Sequence, residues 1–163
     1  MTTTKITAAT SISTGSSLNQ RNQRCDRVQV PASSLRSSTP HIAVLGRIPG
    51  TQHFRNVERY GTETLPHSLF LRVDESLFFG NLAAVETRLF TELDRAPTTR
   101  DIVLIMSAVN RVDTTAMEAL HDLDRELSGR GIRLHFAEVK GPVQDRLRNA
   151  PLWRDLSGQV FLS

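Results

Sequence analysis

The chain has 163 residues, 39% hydrophobic and 23% charged, enough apolar material for one folded domain. Its longest aliphatic run, Ile102 to Met106, falls far short of the roughly 20 residues of a membrane-spanning helix, which excludes a complete channel or transporter in this chain. A net charge of +3 suggests a nucleic-acid partner. However, five of the 20 basic groups and one of the 17 acids fall in residues 1–38, so the body carries 15 bases against 16 acids and no basic face; no nucleic-acid role is expected.

Residues 1–38 include 14 Ser or Thr and no Phe, Tyr or Trp. Such a segment cannot bury enough apolar surface to offset its ordering entropy, and it is read as a disordered basic tail preceding a domain at 39–163. It lacks the apolar stretch of a secretory signal, although its Ser, Thr and Arg content is shared with organelle transit peptides. Cys25 is the only cysteine, so no intrachain disulfide can form and a reducing compartment is expected.

Order is expected from Pro40. Ile42 to Leu45 reads as a strand, Pro49-Gly50-Thr51 as a turn, and Phe54 to Glu58 as the returning arm of a hairpin. Leu69 to Val73 is a second extended run, with Leu77-Phe78-Phe79 continuing it. The apolar period then changes: Leu82, Val85, Leu89 and Leu93 recur at helical spacing, with Asn81 as N-cap and Pro97 as terminator. Ile102 to Met106 has the continuous apolar character of a strand covered on both faces. Ala116, Leu120, Leu123 and Leu127 mark a second helix, closed by Gly129 and Gly131. Ile132 to Ala137 is a strand, Val143 and Leu147 begin a short helix, and Val160 to Leu162 is a last strand. Strand and helix alternate from residue 69 onward, which predicts an α/β layer with largely parallel strands. In such units each helix starts at the carboxyl end of the preceding strand, so the starts near Asn81 and Asp113–Thr115 should share one rim of the sheet, where ligands gather.

Three segments carry a family resemblance. Val44 to Thr51, followed by Phe54-Arg55-Asn56, resembles the beginning of the cytoplasmic STAS domain of the sulfate permease (SulP) family. Arg72 to Asn81 resembles that family's first long strand and helix start, and Ala108 to Leu120 its central loop and second helix. The resemblance implies a STAS fold, similar to anti-sigma-factor antagonists: a mixed, mostly parallel sheet with helices and an N-terminal β-hairpin. It further implies a regulatory domain on the cytoplasmic side of the plasma (inner) membrane, with the permease's membrane transport unit as partner and a regulatory protein or kinase as a second one. The membrane helices that the family places before the domain are absent here, and so is the helix it places after Val160–Leu162. The chain is accordingly expected to transport nothing alone and, lacking the closing helix, to leave one sheet face partly bare. The alternative reading is a free-standing phospho-switch of the anti-sigma-factor-antagonist kind; the Gly46–Arg55 hairpin favours the permease type.

Site expectations centre on Asp113-Thr114-Thr115. Thr115 to Glu118 fits a capping box, in which Thr115 caps the second helix. By resemblance, Thr115 aligns with the family's phosphoacceptor, with Thr114 as runner-up. Gly80, Asn81, Asn110, Asp113, Thr114 and Thr115 are candidates for weak anion or nucleotide binding at the two helix starts, although no G-x-x-x-x-G-K-[ST] loop accompanies them. Glu118, Asp122 and Glu126 form an acidic row at four-residue spacing, either a solvated face or a patch for basic cytoplasmic loops. Phe78, Phe79 and Trp153 are expected in core or edge packing, and Met106 and Met117 in the core. The five histidines stand at least ten positions apart, so no metal site is expected, and no cofactor either. No nucleophile elbow or H-E-x-x-H occurs, and Asp122 and Asp124 point to different faces of one helix, so the chain is not read as an enzyme.

Overall fold

The computed structural model describes residues 39–161; the tail expected to be disordered, and Leu162, lie outside the described residues. Six strands form one sheet: β1 (Ile42–Arg47), β2 (Phe54–Asn56), β3 (Ser68–Val73), β4 (Asp101–Ile105), β5 (Arg133–Ala137) and β6 (Val160–Phe161), in the order β2-β1-β3-β4-β5-β6. β1 runs antiparallel to both β2 and β3, and β3 to β6 are parallel. The helices are α1 (Phe79–Arg95), α2 (Thr114–Gly129), α3 (Gly141–Arg148) and α4 (Pro151–Asp155). The hairpin, the alternation and the parallel strands are those expected; α4, a single turn too short to show a helical period, was not.

Two local expectations fail. Leu77-Phe78-Phe79 does not continue β3: only Leu77 pairs, in an isolated parallel bridge to Val112, and Phe79 already begins α1. Asn81 is not the N-cap but the third residue of the helix. It is buried, its side-chain oxygen accepts from the Phe78 N–H at 3.0 Å, and its amide donates to the Ser76 carbonyl at 2.8 Å. The cap position falls to Phe78 because the buried amide reaches back and satisfies the first orphan donor from inside the helix.

The main core contains residues from all four helices, among them Leu89, Leu120, Leu147 and Leu152, packed on Leu71, Leu104, Leu134 and Phe136 of the sheet. Consecutive parallel strands joined by right-handed crossovers deliver every helix to the same face. The opposite face carries no helix among the described residues. Its apolar cluster is small: Ala43, Leu45 and Ile105, with Phe54, Phe70, Val103 and Ala137 against them. β4 is therefore covered by helices on one face only, and its apolar run reflects two different apolar surroundings. The open face follows from the strand order.

Candidate functional site

The helix starts of α1 and α2 lie side by side at the carboxyl rim of the parallel strands, as the alternation predicts. Leu77 N–H donates to the Arg111 carbonyl at 2.9 Å and Asp113 N–H to the Leu77 carbonyl at 3.1 Å, stitching the two β–α loops together. Asp113 then serves both helices. Its Oδ1 accepts from the Ala116 N–H at 2.7 Å, and its Oδ2 accepts from the Phe79 N–H of α1 at 3.2 Å. The N-cap of α2 is thus Asp113, and Thr115 is the second helical residue, contrary to the capping-box reading. A carboxylate wins over a hydroxyl here because it faces the positive ends of two helices at once.

The anion candidates are accordingly brought to one rim but are partly engaged there. Asn81 is consumed by its bonds to Phe78 and Ser76. Asn110 is exposed, and its Oδ1 accepts from Lys140 Nζ at 2.6 Å. Gly80 is exposed in the first turn of α1, where a Cβ would lie 2.8 Å from the Phe78 ring. Asp113 already takes amides that an external anion would use, so such a ligand meets a fixed negative charge first.

Thr114 and Thr115 are both exposed but face different grooves. Thr114 lines one of about 510 Å3 between α2 and the α3–α4 turn, together with Glu118, His121, Arg146 and Asn149. Thr115 lines a smaller hollow of about 140 Å3 against α1, with Phe79, Ala83, Glu86 and Ala119. Phe79 is 76% exposed, contrary to its expected place in packing, whereas Phe78 and Trp153 are half-buried.

The acidic row divides likewise. Glu118 turns to the Thr114 groove, while Asp122 and Glu126 approach Glu86 of α1. Burial first, then the charges of Glu126 and Asp122, hold the Glu86 carboxyl above its ordinary pKa. Glu126 is also paired with Arg130 at 2.5 Å. Sequence reasoning missed Glu86 because the convergence of two helices, not a spacing within one, makes it part of the patch. Asp74, at the same rim, shows the opposite balance. Burial would raise its carboxyl, but hydrogen bonds and charge from Arg72 (2.6 Å) and His41 (2.7 Å) outweigh it and hold the pKa low. Among the described residues no cluster of three His, Cys, Asp or Glu could hold a metal ion, and no helix is long and apolar enough to cross a membrane.

Such a parallel β–α array, with an antiparallel hairpin on one side and paired helix starts at its rim, is the architecture of STAS domains. The STAS domain family model matches residues 59–163, and the chain belongs to that family. Among curated relatives, it is 33% identical over 141 residues to sulfate transporter 1.3 of Arabidopsis thaliana, covering 79% of this chain and 21% of the transporter. It is 36% identical over 123 residues to the chloroplastic sulfate transporter 4.1 of the same plant, covering 67% and 17%. The chain thus spans about a fifth of the length of the transporters it matches. The murine Solute Carrier 26 family member A9 anion transporter, in its inward-facing state, superposes with a TM-score of 0.69 at 16% identity, over 76% of this chain and 20% of that one. An anti-sigma factor antagonist structure from Thermotoga maritima does so with a TM-score of 0.51 at 17% identity, over 60% and 82%.

Two predictions follow from the rim. Replacing Asp113 by Ala should cost about 1–2 kcal/mol in urea unfolding, while Thr115→Ala should stay within about 0.5 kcal/mol; the reverse order would restore Thr115 as the cap. Because the raised Glu86 carboxyl binds its proton more tightly in the folded state, stability should fall as pH rises through the window above the ordinary Glu value. Glu86→Gln should therefore raise the melting temperature at pH 7 and lose that advantage towards pH 4, which thermal unfolding across the range will measure.

Proposed function

We propose that the chain is the regulatory, non-catalytic domain of a sulfate-permease-type anion transporter, acting on the cytoplasmic side of the membrane by docking against the transport unit. The single observation that carries the docking surface is Phe79, a large apolar side chain exposed at the start of α1 in a hollow shared with Thr115 and Glu86, which Asp122 and Glu126 approach further along the helices. An exposed aromatic with acids beyond it on the adjoining helices suits a partner loop with an apolar anchor and Lys or Arg near it, and cytoplasmic loops of membrane proteins are rich in those cations. Glu118, facing the other groove, contributes to this surface less directly. Anion or nucleotide binding at Gly80, Asn110, Asp113, Thr114 and Thr115 is at most a weak, salt-sensitive bias on docking, since Asp113 occupies the rim.

Loop phosphorylation would bias the same surface. Charge favours Thr114 over Thr115: Arg146 and His121 line the Thr114 groove beside the acid Glu118, whereas Glu86 is, among the described residues, the one charged residue lining the hollow at Thr115. The free-standing phospho-switch stands as the second reading, supported by the likeness to the anti-sigma factor antagonist over 82% of that chain.

The docking reading is tested by exchanging residues 39–161 for the corresponding segment of the Arabidopsis sulfate transporter 1.3. Sulfate uptake should persist, and Phe79→Asp in the exchanged segment should lower it about fivefold at equal membrane abundance, as loss of an interface anchor would. No uptake from the exchanged transporter at normal abundance, or no effect of Phe79→Asp, would count against it. For phosphorylation, mass spectrometry after treatment with Ser/Thr kinases should locate phosphate on Thr114, lost in Thr114→Ala and kept in Thr115→Ala; the converse pattern would return the role to Thr115.

A further inference from the structure

We infer that His135 is a pH-sensitive latch: its neutral imidazole holds β6 on the sheet, and protonation lets that edge go. His135 lies on β5 facing the open side of the sheet and is 7% exposed. Its Nδ1 stands 3.0 Å from the Gln159 N–H, a backbone donor, so Nδ1 must act as acceptor and carry no proton. The ring hydrogen therefore sits on Nε2, where it donates to Asp101 Oδ1 at 3.1 Å. Only this neutral tautomer makes both bonds.

The segment it holds is short: β6 pairs only with Phe136 and Ala137 of β5, and Val160 packs against the main core. β6 is two residues long; the Phe136 N–H donates to the Gln159 carbonyl at 3.0 Å and the Glu138 N–H to the Phe161 carbonyl at 3.2 Å. Phe161 stacks on the His135 ring, with centroids 5.7 Å apart, and Gly158 lies so close that a Cβ there would be 2.8 Å from Nδ1. Just before it, Ser157 is fastened separately: its hydroxyl donates to the buried Asp124 at 2.5 Å and accepts from the Leu134 N–H at 3.0 Å. Opening would thus start after Ser157 and free the strand that carries Phe161.

The charged groups around the ring are few. From β4, Asp101 faces Nε2, and Arg133 of β5 is paired with the same carboxylate at 2.7 Å. Glu138 lies along the same trough; among the described residues Gln159 and, from β6, Phe161 face it as uncharged groups, and the helices are on the other face. A second ring proton leaves the Asp101 contact intact but turns Nδ1 into a donor against the Gln159 donor. The loss falls on β6 alone. Detachment of β6 removes that opposition, so protonation and opening reinforce each other.

The test is 15N NMR on the full 163-residue chain. At pH 7.5 the His135 ring should show the Nε2–H tautomer. Between pH 7.5 and 5.5, as its ring protonates, amide protection at Gln159 and Glu138, corrected for intrinsic exchange, should fall about tenfold while Leu104 stays unchanged. In His135→Gln, protection at Glu138 should no longer depend on pH over this interval. An Nδ1–H tautomer at pH 7.5, a ring that stays neutral down to pH 5, or a ring that titrates while Gln159 and Glu138 keep their protection would each overturn the latch in the unmodified chain, whatever the variant's stability.

Discussion

One carboxylate, Asp113, accepts amide hydrogens from two neighbouring helices, and the arrangement of the rim depends on it. Two helix N-termini placed side by side bring their positive dipole ends together, and a negative charge between them offsets that repulsion. The Leu77–Val112 bridge supplies the matching backbone stitch, since it sets the loop after β3 against the loop after β4. With both in place, the first turn of α2 is oriented, Thr114 toward α3–α4 and Thr115 toward α1. The electrostatic difference between these adjacent hydroxyls is a consequence of that orientation, not of their sequence neighbours.

The strand order has an equally broad effect. Because β3 to β6 follow one another in space as in sequence, all four helices accumulate on one side, and the protein has two unlike surfaces. The helical side carries the rim, the acids that converge on Glu86, and the exposed Phe79. The sheet side carries an apolar trough of about 550 Å3, with the Phe54 and Phe70 rings 4.9 Å apart near one end and Phe161 over His135 at the other. β6 closes that second end with two residues, so side-chain bonds from His135 and the Asp124–Ser157 pair do much of the work that a longer strand would do through its backbone.

The conspicuous surface features of this STAS domain are an exposed aromatic, a shared cap and a paired rim of loops. Asp113 also illustrates why local spacing alone misplaces detail: a capping box at Thr115 satisfies the local pattern, but the structure gives the cap to the residue that can reach α1 as well.

What the sequence determined by itself was what short-range physics controls. The helical spacing of Leu82, Val85, Leu89 and Leu93, the apolar run at Ile102 to Met106 and the breaks at Pro97 and Gly129 to Gly131 specify elements through burial of one stripe or strand and through backbone preference, so hairpin, alternation and a common rim were all legible. Which side of the sheet stayed open, that Glu86 joins Asp122 and Glu126 and that His135 meets Gln159 were decided only by tertiary structure. Each depends on groups brought together from distant parts of the chain, 34 positions apart for Asp113 and Phe79, and such encounters are set by how strands order and helices cross, which no local pattern encodes.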